Sequence, residues 1–343
     1  MTTNPTFMRQ EIEEIPEAVS RFLAQSGDTL REGGALLRER DPSTVVTIAR
    51  GSSDHASAFL KYAIELTAGV PVASIGPSVA SIYGQHLRLK HCAAIGISQS
   101  GKSPDIVAMA EAARRDGATT FAITNTPNSP LAATSDITID LKSGEEKSVA
   151  ATKTFVASVV AGLGLVAHWQ QDTNLIAALD ALPQLFREAI ACDWSPLLGA
   201  LDQHQSLYVL GRGPAFAIAN EAALKFKETC GIHAESYSAA EVLHGPARIV
   251  ERHFPVLALA ARDAAEASVS EVAERLAGQG ARVFITSVNA INAERLPFAA
   301  SGHPITDALA LIVSFYGFVE ALSRRRGFDP DRPPHLKKVT ETI

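Results

Sequence analysis

Sulfur is scarce in this chain. Its 343 residues include three cysteines, Cys92, Cys192 and Cys230, widely spaced and without a CxxC pair. An odd, scattered set gives no disulfide framework and no zinc site, and it fits a reducing compartment. No tract of bases occurs: 31 Lys and Arg against 37 acids leave a net charge of -6, which argues against nucleic acid as the main partner. The first residues, TTNPTFMRQEIEEIPEAV, carry acids where an export signal needs bases, and they lack an apolar core. No long apolar run stands out. The stretch from Val156 to Ala167 contains Ser158 and two glycines and is short of the roughly 20 residues that a membrane span needs. A soluble cytoplasmic protein is expected, without nucleic-acid or membrane partners.

At 46% hydrophobic and 20% charged residues, the chain can bury a sizeable core, and its length suits two domains. Two stretches share one grammar. VVTIARGSS, from Val45, and SLYVLGRGP, from Ser206, each run from an apolar strand through a glycine turn into a helical pattern, and Gly213 follows Gly51 by 162 residues. CAAIGISQSG and HFPVLALAARDA begin the next unit of each half, and there Gly280 follows Gly117 by 163 residues. Two elements repeating at nearly one offset indicate duplication. Continuously apolar strands alternating with helices predict doubly wound parallel sheets in three αβα layers, flavodoxin-like, with ligands beyond the carboxyl ends of the strands. The spacing predicts an N-terminal helical segment over 1–30, interrupted at Pro16, a first domain over 31–170 and a second over 195–325. A linker with a helix around Leu179 to Ala191 joins them, and an extended tail follows over 326–343, where Gly327 and three prolines exclude helix.

Ser98-Gln99-Ser100-Gly101-Lys102-Ser103 follows the strand AAIGI. Ser103-Pro104-Asp105 reads as a capped helix start, with Pro at the first helical position. Hydroxyls at a helix N-terminus suit an anion, because free N–H groups and the helix dipole point at it. Ser52 and Ser53 occupy an equivalent turn one unit earlier. The bland alternative is an ordinary polar turn. The corresponding place in the second half reads Ala260-Ala261-Arg262-Asp263, without the hydroxyls.

Glu221, Lys225 and Glu228 stand at i, i+4 and i+7, on one helix face. They form either a solvated stripe of ion pairs or, given the Ala, Leu and Phe around them, the lining of a cleft. Glu241 and His244 lie three apart, before Gly245-Pro246. Glu-x-x-His is also a ligand step in carboxylate metal bundles, but such a site needs two copies and partner glutamates. No metal and no cofactor is expected.

SQSGKS, EEKSVAATKTF (Glu145 to Phe155), GRGPAFAIANEAALKFKE, IHAESYSAAEVLHGP and PPHLKKVTET, in this order, resemble the isomerase half of glucosamine-6-phosphate synthases, as two sugar isomerase (SIS) domains covering nearly the whole chain. The resemblance implies that Ser98, Gln99, Ser100 and Ser103 bind phosphate and that Ser52, Ser53 and Val149 contact sugar. It implies that Glu228 moves a proton between C1 and C2, with Glu221 and Lys225 beside the open-chain sugar. It implies that His244 helps open the ring from a neighbouring subunit, so that a homodimer is expected. It implies that Lys338 forms a Schiff base, with Lys337 as the alternative if Val339-Thr340 sets the alignment. One carboxylate base and an amine nucleophile suit aldose–ketose chemistry without a redox cofactor, and Gly211-x-Gly213 lacks the third glycine of a dinucleotide fingerprint. The synthases carry a glutaminase cysteine after the initiator Met, whereas this sequence begins Met-Thr-Thr and has no cysteine before Cys92. Glucosamine 6-phosphate and fructose 6-phosphate, interconverted with free ammonia, are therefore expected. The alternatives are a deglycase of fructosamine phosphates and a non-catalytic sugar-phosphate regulator. Arg50 and Ser103 replace the Cys and Thr of the synthase pattern, next to the expected site.

Overall fold

The computed structural model describes residues 5–338 and contains two five-stranded, all-parallel sheets. The first is built from β1 (Thr44–Ile48), β2 (Val72–Ser74), β3 (Cys92–Ile97), β4 (Thr119–Thr124) and β5 (Ile137–Asp140), in the order β2-β1-β3-β4-β5. The second has β6 (Ser206–Gly211), β7 (His233–Ser238), β8 (Pro255–Ala258), β9 (Arg282–Ile285) and β10 (Glu294–Arg295), in the order β7-β6-β8-β9-β10. Both orders are the same doubly wound pattern. Each reverses direction between its first and third strands, which is where such sheets open a crevice.

The strands are buried along their length because both faces are covered. On one face of the first sheet, Ile106, Met109 and Ala110 of the helix Pro104–Arg115 pack on Val46, Ile48, Ala94 and Ala122. The second sheet repeats this with Val269, Val272, Ala273 and Leu276 of Glu266–Gly278 against Leu210, Val256, Ala258 and Val283. The duplication extends to backbone angles. Gly51 (φ 55°, ψ -134°) and Gly213 (φ 61°, ψ -139°) begin the helices Ser52–Thr67 and Pro214–Cys230 in one left-handed conformation, which a side chain would resist.

The stretch from Val156 to Ala167 lies in a buried helix, Lys153–Gln170. A second helix, Pro304–Arg325, is long and apolar enough to cross a membrane, but 89% of its most apolar window is buried inside the fold. The N-terminal break falls at Glu14, between Phe7–Glu13 and Ile15–Arg40, and Pro16 sits in the first turn of the second helix. Proline tolerates that place because first-turn N–H groups lack partners anyway. The helix expected around Leu179 to Ala191 is broken into two, Thr173–Asp180 and Leu182–Ile190, and a further helix, Ser195–Leu201, precedes β6.

By contacts the chain divides into two units. One contains the first sheet, with residues 17–146, 153–180 and 337–338. The other contains the second sheet, with residues 5–16, 147–152 and 181–336.

Candidate functional site

In the first-sheet unit, the turn after β3 is tied on every side. Ser98, itself buried, donates its N–H to the Ile123 carbonyl (3.1 Å), and its Oγ accepts from the Gly101 N–H (3.2 Å). The Lys102 N–H donates to Ser100 Oγ (3.3 Å), and the Gln99 carbonyl accepts from the Asn125 N–H (3.1 Å). Gly101 adopts φ 60°, and a Cβ there would lie 2.1 Å from Ser129 Oγ. Gly101→Ala combines a left-handed backbone with overpacking, so urea denaturation should register a loss of about 2–4 kcal/mol.

Ser103 occupies the cap position of Pro104–Arg115, but its hydroxyl makes no capping bond. The neighbouring Asp105, 2% exposed, takes that place. Its Oδ1 accepts from the Ile106 N–H (2.9 Å), and its Oδ2 accepts from Arg50 Nε (3.0 Å) and Nη2 (2.9 Å). Arg50 thus places a guanidinium beside the serine turn. Ser52 and Ser53, both half-buried, are the first residues of the helix after β1.

Lys338 lies in the same unit. Its Nζ pairs with Glu146 Oε2 (2.7 Å), and Glu146 also accepts from the Thr154 N–H (3.0 Å) and Oγ1 (2.7 Å) at the start of Lys153–Gln170. Burial works to raise the Glu146 pKa, but the Lys338 ammonium and the Thr154 donors outweigh it and hold the pKa below the ordinary value. Lys337 is exposed. Val339 and Thr340, on which the alternative alignment rests, lie outside the described residues.

The second-sheet unit holds the acid–lysine helix. Glu221 and Lys225 are fully buried and Glu228 partly so, which excludes the solvated stripe. Lys225 Nζ lies 3.3 Å from Glu221 Oε1 and 2.5 Å from Glu228 Oε2, and the Tyr316 hydroxyl donates to Glu221 Oε1 (3.2 Å). Burial opposes the charge on Lys225, but the two carboxylates prevail and raise its pKa above the ordinary value. Lys225 is therefore a fixed cation between two acids, and the outer acid, Glu228, reaches the surface.

His244 is exposed and ends the 3₁₀ turn Glu241–His244, and the next turn is held by the Tyr208 hydroxyl donating to the Pro246 carbonyl (3.0 Å). The half-buried Val149 donates its N–H to the Asp331 carbonyl (3.2 Å), while the Asp331 carboxylate accepts from the N–H groups of Phe7 and Met8 (2.8 Å each). Asp331 thereby ties the C-terminal segment to the first helix. Among the described residues no group of three or more His, Cys, Asp or Glu is placed to hold a metal ion.

Sequence reasoning missed the tertiary roles of Glu146 and Asp331, and it named Asp105 only as part of a helix start. Their partners lie 192, more than 300 and 55 residues away, and no local periodicity links them.

The SIS domain profile matches residues 39–167 and 200–319. The chain belongs to the SIS domain family. The crystal structure of a candidate phosphosugar isomerase from Silicibacter pomeroyi DSS-3 is similar at a TM-score of 0.93 and 56% identity, over 95% of this chain and 100% of that one. The C-terminal domain of glucosamine-fructose-6-phosphate aminotransferase from Francisella tularensis is similar at a TM-score of 0.86 and 26% identity, over 96% of this SIS chain and 99% of that one. A curated relative, the isomerizing glutamine–fructose-6-phosphate aminotransferase of Pyrobaculum aerophilum, is 33% identical over 98% of this chain and 57% of its own length. The SIS chain spans a little over half the length of the curated relatives it matches.

Proposed function

We propose that this protein is a phosphosugar aldose–ketose isomerase that acts on an amino sugar, converting glucosamine 6-phosphate and water to fructose 6-phosphate and ammonia, or the reverse. The observation that carries this reading is the Glu221–Lys225–Glu228 line, a buried cation that holds a partly exposed carboxylate at the end of a core helix. A carboxylate fixed in this way suits proton transfer between adjacent carbons, which needs one positioned base. The names of the Silicibacter, Francisella and Pyrobaculum relatives point the same way.

In this reading the Ser98–Ser103 turn holds the phosphate, and Ser52, Ser53 and Val149 touch the sugar. His244, supplied by the neighbouring subunit of a homodimer, helps open the ring. Glu228 takes the C2 proton of the open aldose and returns it to C1 while a proton passes from nitrogen to O1, so the aldehyde becomes a hydroxymethyl carbon and the double bond moves to C2=N. Water adds at C2, its oxygen becomes the ketone oxygen, and ammonia leaves. Lys338 can take the place of ammonia at C2 as a Schiff base once its ammonium gives up a proton.

The reading is tested by incubating purified protein with glucosamine 6-phosphate. Fructose 6-phosphate and ammonia should appear in equal amounts, and failure with every amino-sugar 6-phosphate tried would reject it. Borohydride reduction in the presence of fructose 6-phosphate should add one hexitol phosphate to Lys338, located by peptide mass spectrometry. A label on Lys337 would reassign the nucleophile.

A further inference from the structure

We infer that the cavity beside Glu228 receives an apolar substituent carried on the substrate's amine, so that N-alkylated 2-amino-2-deoxyhexose 6-phosphates are substrates as well. The inference rests on the proposed role of Glu228 at C1 and C2. The cavity lies wholly within the second-sheet unit and measures about 470 Å³. On one side it is walled by the helix Pro214–Cys230, through Leu224 and Glu228, and on the other by the C-terminal segment, through Phe328, Pro333, Pro334 and Leu336. Glu228 is therefore shared. It ends the buried ion-pair line on one side and forms part of the cavity wall on the other.

Two properties of this space decide what suits it. The first is size. Ammonia is about as large as a water molecule, whose share of liquid volume is roughly 30 Å³, whereas pockets of about 300–1,000 Å³ are the size that encloses small organic ligands. The second is chemistry. Leu224, Phe328, Pro333, Pro334 and Leu336 make the principal walls aliphatic and aromatic carbon, while Lys227, Glu228, Thr229 and Asp329 supply the polar side chains at its margin. An alkyl or aryl group is the occupant such walls favour. The amine nitrogen sits on C2, the carbon whose proton Glu228 takes, so in this reading a group on that nitrogen lies beside Glu228 and the cavity it lines.

The reaction balances without a further reagent. The C2–H bond breaks to Glu228 and a C1–H bond forms, while the N–H proton passes to O1, so that the C1 aldehyde becomes a hydroxymethyl carbon and C2=N–R forms. Water then adds to C2=N, its oxygen becomes the ketone oxygen, and its two protons leave on nitrogen as the free amine. An N-alkyl glucosamine 6-phosphate and water thus give fructose 6-phosphate and the alkylamine.

The test measures fructose 6-phosphate formation from glucosamine 6-phosphate and from its N-methyl, N-butyl and N-benzyl derivatives. Each added methylene should tighten binding about fourfold, the equivalent of roughly 0.8 kcal/mol, so KM for the N-butyl compound should fall at least tenfold below that for N-methyl. Leu224→Trp, which narrows the cavity, should abolish this gain and leave glucosamine 6-phosphate turnover within about twofold of wild type. Phe328→Ala removes a wall side chain that is 41% exposed and should flatten the chain-length dependence without depending on the fit of a larger residue. Turnover of glucosamine 6-phosphate without turnover of the N-butyl compound would overturn this inference and leave the proposed function standing, as would a KM indifferent to chain length. If no compound turns over, the proposed function fails. Calorimetry then decides separately: tighter binding of the N-butyl compound that is lost in Leu224→Trp supports an apolar subsite, and equal binding overturns it.

Discussion

Glu228→Gln should lower kcat for glucosamine 6-phosphate by about 10²–10⁴-fold, the range that a positioned acid–base group supplies. The substitution keeps the volume of the side chain and leaves a carbonyl oxygen to accept from Lys225 Nζ. Lys225 retains Glu221 at 3.3 Å, so its buried charge stays compensated, and the fold should lose no more than about 1 kcal/mol, the ordinary worth of one hydrogen bond. A variant that binds the sugar phosphate, melts within a few degrees of wild type and turns over normally would remove Glu228 from the reaction.

Lys225→Met should have the larger effect on stability. Glu221 is 0% exposed and pairs with Lys225, and the Tyr316 hydroxyl also donates to it. Removing the cation leaves a buried carboxylate without its counter-charge beside a second acid, a change that typically costs 3–5 kcal/mol. Urea denaturation at pH 7 reads this directly. The pH dependence has a definite sign. The raised Lys225 pKa means that its stabilisation is fully present below the ordinary lysine value and is lost only as pH rises through the still higher folded value. Wild-type stability should therefore be flat with respect to this group between about pH 6 and 9. In Lys225→Met, protonation relieves the stranded acids, so the deficit relative to wild type should shrink as pH falls toward the carboxylate range. A deficit unchanged down to pH 5 would place the loss in packing and not in charge.

Much of the fold was legible because the sequence repeats its own instructions. Val45 to Ser53 and Ser206 to Pro214 both spell a buried strand, a left-handed glycine and a helix, and the sheets share one strand order. The i, i+4, i+7 spacing correctly put Glu221, Lys225 and Glu228 on one helix face, but spacing alone could not tell a solvated face from a buried one. That depended on the aromatic and aliphatic residues of Pro304–Arg325, including Tyr316, which lie some 95 residues away. The helix start at Ser103 was also legible, yet the hydrogen bond went to Asp105, whose carboxylate binds the Ile106 N–H through one oxygen and Arg50 through the other. Glu146 was hidden for a related reason. Its burial at the start of Lys153–Gln170 and its pairing with Lys338 are products of chain return, which no local pattern records.

If Glu228 moves a proton between C1 and C2 of a hexose 6-phosphate, the C1 protons of the ketose exchange with solvent. Fructose 6-phosphate incubated with the protein in D₂O and followed by NMR should lose one C1 proton to deuterium, at a rate that falls at least a hundredfold in Glu228→Gln. Wild-type protein that leaves the C1 protons untouched, or a Glu228→Gln variant that exchanges them as fast as wild type, would contradict it.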